Sequence, residues 1–285
     1  MRKVVITGAA GQLGLALGEA LAARSPVMLP RQSLDIGDED AASAALTDLR
    51  PDVLVNAAAY NAVDAAEGDV ANAFRTNALA PLFLARACAR IGALLVHFST
   101  DYVFRGDRAP YREEDPPDPQ NVYGASKLAG EQLVRLSGAP HLVIRTCGLY
   151  GRGNPTHFVE KMLSLAASGR TIRVVSDQIV APTSVADLAS VVVRLLDRWS
   201  VERSAELLGL YHVTNGASCS WLEFARAIFA EAGVHADVEP VSSEEFGARA
   251  LRPACSVLAN DHLRRVGLDA LRPWREALRD YLRSR

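Results

Sequence analysis

Residues 4–14 read Val4-Val5-Ile6-Thr7-Gly8-Ala9-Ala10-Gly11-Gln12-Leu13-Gly14, a short apolar run followed by three glycines spaced three residues apart. Glycine permits a tight strand-to-helix turn and close approach of a ligand to the backbone, and amide groups at a helix N-terminus bind pyrophosphate. This spacing is looser than that of the standard dinucleotide fingerprint, so the interpretation depends on its position between a strand and a helix. The stretch predicts a strand, a phosphate-binding turn and a helix.

Short apolar runs alternate with helical patterns through the first half of the chain. The runs predict strands at residues 4–7, 27–29, 53–56, 94–99 and 142–145, with helices at about 12–24, 38–49, 70–90 and 123–136. Alternation of this kind predicts an α/β fold, a Rossmann-type doubly wound parallel sheet with helices on both faces. We expect its ligand site at the carboxyl ends of the strands.

The alternation loosens after about residue 150, which predicts a smaller C-terminal α/β cap that binds substrate. Helices are expected at about 157–167, 186–199 and 221–232 and from residue 274, and strands at 172–175 and 211–214. We expect residues 1–146 plus roughly 172–213 to form the nucleotide-binding domain. Roughly 147–171 plus 214–285 would form the second domain, interleaved with the first.

Composition narrows the class of partner. The 285 residues carry a formal net charge of −2 and are 49% hydrophobic, which gives no basic excess for nucleic acid or an anionic membrane and favours a small-molecule partner. The first residues run directly into a strand without an apolar leader or span, which predicts a cytoplasmic protein. Scattered cysteines and histidines without ligand spacing predict neither a disulfide framework nor a bound metal.

Tyr123 and Lys127 lie four residues apart in a predicted helix, so their side chains share one face, with Cβ atoms about 5–6 Å apart. A free tyrosine has a pKa near 10, and a fixed ammonium charge nearby is expected to lower it. This pairing predicts a general acid for carbonyl reduction. The alternative is a solvated pair on the helix surface.

The segment after the second predicted strand bears on the choice of cofactor. An acidic residue there usually binds the ribose 2′-hydroxyl of NAD, whereas Arg31 in this chain suits the 2′-phosphate of NADP. Asp35 and Ile36 follow, in a position to lie along the adenine. We therefore expect NADPH, with NADH as the alternative.

These motifs resemble the extended short-chain dehydrogenase/reductases, and most closely the dTDP-4-dehydrorhamnose reductase family. The resemblance covers nearly the whole chain. It is carried by the glycine turn, by residues 55–64 (VNAAAYNAVD) and 98–104 (FSTDYVF), by 121–124 (NVYG) with Lys127, and by 177–183 (DQIVAPT) and 252–258 (RPACSVL).

The resemblance implies NADPH-dependent reduction of the C4 keto group of a dTDP-4-dehydro-6-deoxy sugar, most closely dTDP-4-dehydrorhamnose to dTDP-L-rhamnose. Thr100 would hydrogen-bond the reacting oxygen, Tyr123 would protonate it, and Lys127 would hold the cofactor ribose. The implied cofactor-binding residues are Gly8, Gly11, Gln12, Leu13, Gly14, Arg31, Asp35, Ile36, Ala58, Ala59 and Asn61. The implied substrate-binding residues are Tyr102, Asn121, Arg252 and Ser256.

Two positions depart from the family pattern. Many relatives carry a tryptophan near the sugar where this chain has Thr146-Cys147-Gly148, so the resemblance leaves the identity of the deoxysugar open. Some relatives use a glutamate on the first helix for a magnesium-linked dimer, but this chain has Leu15-Ala16. We therefore expect no metal, and either a monomer or a homodimer.

Two other functions are compatible with the same motifs. A sugar-nucleotide epimerase shares the Tyr/Lys pair but retains its nicotinamide and returns the hydride. A non-catalytic NADP-binding regulatory subunit, like that of methionine adenosyltransferase, shares much of the sequence pattern. The intact trio of Thr100, Tyr123 and Lys127 favours the reductase.

Overall fold

The structure is a computed structural model that describes residues 3–153, 155–268 and 271–285. Its strands are β1 (Val4–Thr7), β2 (Val27–Leu29), β3 (Val53–Asn56), β4 (Leu94–Thr100), β5 (His141–Thr146), β6 (Leu149–Tyr150), β7 (Ile172–Val175), β8 (Ile179–Val180), β9 (Thr183–Ser184), β10 (Gly209–His212), β11 (Cys219–Ser220) and β12 (Val238–Val241). Its helices are α1 (Gln12–Ala20), α2 (Glu39–Leu49), α3 (Val63–Ala66), α4 (Val70–Phe74), α5 (Ala80–Ile91), α6 (Val122–Leu136), α7 (Phe158–Ala167), α8 (Val185–Glu202), α9 (Trp221–Ala232), α10 (Ser243–Phe246), α11 (Asp261–Arg265) and α12 (Trp274–Ser284).

Six strands form one parallel sheet in the order β2-β1-β3-β4-β5-β10, which confirms the predicted fold class. From β1 the chain moves outward to β2 and then returns to the other side of β1 with β3. Ligands of open α/β sheets bind where the strand order reverses, at the carboxyl ends of the strands. The sheet order therefore places the ligand crevice between the ends of β1 and β3.

Apolar side chains cover both faces of this sheet. On one face α1 and α8 pack against Val4, Val53 and Ile144, and on the other α2 and α5 pack against Val5 and Leu95. The central strands β1, β3 and β4 are buried along their whole length. Continuous apolar strands are what a sheet covered on both faces requires.

A second core lies outside the central sheet, where α7, α9 and α12 pack around small two-stranded pairings. Strand β7 belongs here, because it pairs in parallel with β12 and its side chains lie among those of α9. By contrast, α8 and β10 pack on or within the central sheet. The domain division stays a prediction, and we propose moving its internal boundary from residue 172 to residue 185.

The strand predicted at 211–214 was expected in the cap, but it belongs to the central sheet. It spans Gly209–His212 and forms the sixth strand of the central sheet beside β5. The helix predicted at 70–90 is also interrupted, since a π-helical turn over Arg75–Leu79 separates α4 from α5. The other predicted strands and helices are confirmed, with boundaries that differ by up to four residues.

The glycine turn brings three backbone segments into direct contact. Gly8 has a φ of +67°, and a Cβ there would lie 2.4 Å from the Ala58 nitrogen. A Cβ on Gly14 would lie 2.4 Å from the Gly8 carbonyl oxygen. Both contacts are with backbone atoms, so only glycine allows β1, α1 and the segment after β3 to approach this closely.

Among the described residues, no helix is both long enough and apolar enough to cross a membrane.

We predict that Gly14→Ala destabilises the protein by about 2 kcal/mol, because its methyl group meets backbone atoms that cannot move aside. Gly18→Ala on the same helix is the matched control. Its methyl group would meet only the flexible end of Met28, and alanine favours the helix, so stability should stay within about 1 kcal/mol of wild type. Denaturant unfolding of both variants measures the difference, and equal stabilities would contradict the turn's packing role.

Candidate active site

The predicted cofactor residues of the glycine turn lie at the crevice between β1 and β3. Gly11 precedes α1 in extended conformation and offers no side-chain cap, so the first amide groups of the helix have no partner within it. The side chain of Leu13 is buried in the core, which leaves only its backbone to face a ligand. Gln12 donates to the Leu149 carbonyl at 3.4 Å, and its buried Oε1 has no partner among the described residues.

The segment that holds Ala58, Ala59 and Asn61 is fixed by two buried asparagines that the sequence interpretation missed. Asn56 at the end of β3 accepts from Thr7 Oγ1 at 2.8 Å and from the Ala58 amide at 3.2 Å. Asn77 in the π-helical turn bonds both the amide and the carbonyl of Tyr60 at 2.9 Å. These bonds hold the segment after β3 against the glycine turn.

The residues after β2 divide between surface and core. Arg31 and Asp35 are exposed, whereas the side chain of Ile36 is buried in the core beneath the sheet, so that only its backbone can contact the adenine, and this contact stays a prediction. Asp35 accepts from the Gly37 amide at 2.9 Å and from Arg75 at 3.0 Å. Because of the Gly37 bond, and of the charges of Arg75 and Arg31, the pKa of Asp35 is lowered despite partial burial.

Thr100 and Tyr123 meet at the end of β4. Thr100 closes the strand and accepts from the Tyr102 amide at 3.2 Å. Burial raises the pKa of Tyr123 to about 12, a hydrogen bond with Thr100 lowers it, and the charge of Asp101 raises it. The rings of Tyr102 and Tyr123 meet edge to face with centroids 6.0 Å apart. The Thr100 side chain and the phenol rings of Tyr102 and Tyr123 therefore lie close together at the end of β4.

Lys127 lies one helical turn after Tyr123 and is 2% exposed. Burial lowers its pKa to about 8, and Glu131, a further turn along α6, raises it. Glu131 is itself anchored by a two-pronged ion pair with Arg145, at 2.9 and 2.7 Å, and by Ser99. The expectation that Lys127 lowers the pKa of Tyr123 is wrong for this structure, because desolvation dominates both groups.

Two of the predicted substrate residues already have partners within the protein. Asn121 caps α6, with Oδ1 accepting from Gly124 at 2.7 Å and Nδ2 donating to Leu251 at 2.7 Å, which occupies both ends of its amide. Arg252 forms a bidentate ion pair with Asp64 at 3.1 and 2.7 Å.

Ser256 is buried, and its hydroxyl lies 3.9 Å from the Cys147 sulfur. Cys147 thus packs against Ser256, at the point where the sequence departs from the family pattern. Both residues lie beside the buried carboxyl group of Asp101.

Comparison with known proteins identifies relatives along the full length of the chain. The family model described as RmlD substrate binding domain matches residues 1–285. The spore coat polysaccharide biosynthesis protein SpsK of Bacillus subtilis (strain 168) is 42% identical, covering 100% of this chain and 98% of that protein. A probable dTDP-4,6-dihydroxy-2-methyloxan-3-one 4-ketoreductase of Streptomyces antibioticus is 42% identical, covering 97% of this chain and 93% of its own.

A solved structure is similar to this chain in both sequence and fold. The dTDP-4-dehydrorhamnose reductase of Bacillus anthracis str. Ames, in complex with NADP, superposes with a TM-score of 0.93 at 40% identity. The alignment covers 100% of this chain and 99% of that one.

We predict that the buried charge of Lys127 makes stability depend on pH. The lysine pKa falls from 10.5 to about 8 on folding, so between these values the unfolded chain binds more protons and the folded state gains stability as pH rises. Relative to Lys127→Met, wild type should gain about 3 kcal/mol from pH 7 to 10.5. Denaturant unfolding at both pH values measures this.

The control is Lys161→Met, which removes an exposed lysine and should leave the pH dependence unchanged. A constant difference between wild type and Lys127→Met across this window would show that Lys127 is not desolvated.

Proposed function

The chain belongs to the RmlD substrate binding domain family, and from that membership we propose that it uses NADPH to reduce the C4 keto group of a dTDP-4-dehydro-6-deoxy sugar. The substrate we favour is dTDP-4-dehydrorhamnose, and the product is dTDP-L-rhamnose. The observation that carries the proposal is that Thr100 lies beside Tyr123 at the end of β4, with buried Lys127 one turn further along α6. This end of β4 is on the same edge of the sheet as the glycine turn.

The residues of the crevice fit a dinucleotide. Gly8 and Gly14 let the backbone segments around the crevice pack against one another, and the amide groups at the start of α1 suit a pyrophosphate. The buried Oε1 of Gln12 offers an acceptor to a ligand. When bound, NADPH supplies the hydride that adds to C4.

Tyr123 supplies the proton that completes the reduction. Because burial raises its pKa to about 12, Tyr123 is protonated at neutral pH and can donate to the oxygen as negative charge develops there. Thr100, which lies beside Tyr123, offers a second donor to the same oxygen. Lys127 would hold the ribose hydroxyls and stabilise the tyrosinate left behind.

Arg252 is the candidate for the nucleotide diphosphate of the substrate. Its guanidinium donates two hydrogen bonds to the carboxylate of Asp64, and a phosphate can accept two hydrogen bonds in the same bidentate geometry. When substrate binds, Arg252 would therefore exchange the carboxylate of Asp64 for a phosphate of the substrate. We propose that the sugar lies next to Tyr102, Asn121 and Ser256. Asn121 would also position the neighbouring loop, because its amide donates a hydrogen bond to the Leu251 carbonyl.

We also propose a cytoplasmic protein that acts on its small-molecule substrate as a monomer or a homodimer, without nucleic acid. No cluster of three or more histidine, cysteine or acidic side chains suited to a metal occurs in the part of the chain that the structure describes. Light scattering after gel filtration would distinguish monomer from dimer.

We predict that Tyr123→Phe lowers kcat for NADPH oxidation with dTDP-4-dehydrorhamnose by about 10²–10⁴-fold, because the proton donor is lost. Tyr281→Phe removes a hydroxyl from the second core and should leave kcat unchanged. Equal rates for wild type and Tyr123→Phe would contradict the proposal. Stoichiometric NAD in the purified protein with no net oxidation would indicate an epimerase, and NADPH binding without turnover, with a co-purified partner, would indicate a regulatory subunit.

We predict that Arg31→Ala raises the KM for NADPH about tenfold and leaves that for NADH unchanged, because Arg31 would contact only the 2′-phosphate. Arg86→Ala, an exposed arginine paired with Glu39 at 3.5 Å, is the control and should change neither value. A parallel rise in both KM values for Arg31→Ala would place the arginine elsewhere on the dinucleotide.

A further inference from the structure

The hydroxyl of Thr100 has one proton and more than one neighbour that can accept it. Thr100 Oγ1 lies 3.0 Å from Asp101 Oδ1, and the phenol of Tyr123 lies near enough to influence it. The Tyr102 amide donates to the same oxygen at 3.2 Å. If the Asp101 carboxyl is ionised, it accepts the threonine proton, and none is left for the reacting oxygen.

The surroundings of Asp101 disfavour a negative charge. The residue is 3% exposed, and its Oδ2 has no hydrogen-bond partner among the described residues. The titratable groups that face it are the phenols of Tyr102 and Tyr123 and the thiol of Cys147, none of which is a cation. Burial accordingly raises the pKa of Asp101, opposed in part by the nearby hydroxyls of Ser256 and Thr100 and the thiol of Cys147.

We propose that Asp101 is a neutral positioning residue, whose carboxyl group donates its proton to Thr100 Oγ1 and thereby turns the threonine hydroxyl toward the reacting oxygen. Thr100 Oγ1 then accepts twice, from Asp101 and from the Tyr102 amide, and its own proton is directed away from both. An ionised Asp101 would reverse the bond and withdraw that donor. The inference rests on the proposed reduction and adds a residue to it that acts only through Thr100.

The first test reads the protonation state without any turnover. A difference infrared spectrum between wild type and Asp101→Asn at neutral pH should contain the carbonyl stretching band of a protonated carboxylic acid in the wild type. A carboxylate band in its place would overturn the proposal. Asp101→Asn is nearly isosteric, so this comparison remains valid even if a smaller side chain at this position prevents folding.

The second test is a double-mutant cycle on the reduction of dTDP-4-dehydrorhamnose. Asp101→Ala should lower kcat about tenfold when Thr100 is present and less than about twofold in a Thr100→Val background, because the effect passes through that hydroxyl. Asp101→Asn, whose amide can donate to Thr100 Oγ1, should restore most of the lost kcat. Unchanged thermal unfolding midpoints confirm that the variants are folded.

The outcomes separate the inference from the proposed function. Equal losses of kcat in the two Thr100 backgrounds would give Asp101 a purely structural role and overturn the positioning proposal. An Asp101→Asn variant as slow as Asp101→Ala would also overturn it. Absence of turnover by wild type would instead overturn the proposed reduction, and the infrared spectrum would still decide whether Asp101 is neutral.

Discussion

The contact between the glycine turn and the segment after β3 is the constraint on which the rest of the site depends. Gly8 and Ala58 approach so closely that no side chain fits between their backbones, and Gly14 brings α1 equally close to the Gly8 carbonyl. Asn56 ties the same two segments together through Thr7 and the Ala58 amide. The crevice is thus formed by the backbone where the strand order reverses, and we propose that side chains from β4, α6 and the loop that holds Arg252 and Ser256 complete it.

Burial, more than pairing of opposite charges, sets the chemistry of the side chains in this crevice. It keeps Tyr123 protonated and makes Lys127 titrate near pH 8, opposed only in part by Glu131. The anchoring of Glu131 by Arg145 then connects α6 to β5, so the charge next to the lysine is held by the sheet itself. One face of α6 therefore carries a proton donor, a cation and the anion that stabilises the cation.

The family resemblance implied the grouping of Thr100 with Tyr123. The sequence itself predicted the parallel sheet, because apolar runs mark strands and alternate with helical patterns. It could not predict contacts between distant segments. The Arg252–Asp64 pair joins residues 188 positions apart, and β7 pairs with β12 rather than with the central sheet. The prediction that Lys127 lowers the pKa of Tyr123 was also wrong. Periodicity gives the spacing of side chains along a helix but not how deeply they are buried, and burial raises this pKa.

The central claim is that hydride passes from a nicotinamide to C4 of a keto sugar while the protein supplies the proton. The most direct test is to supply NADPH deuterated at the transferred position together with dTDP-4-dehydrorhamnose, and to locate the label by NMR. The account predicts one deuterium at C4 of the product for each NADPH oxidised. Deuterium that stays on the cofactor, or a product without label at C4, would contradict it.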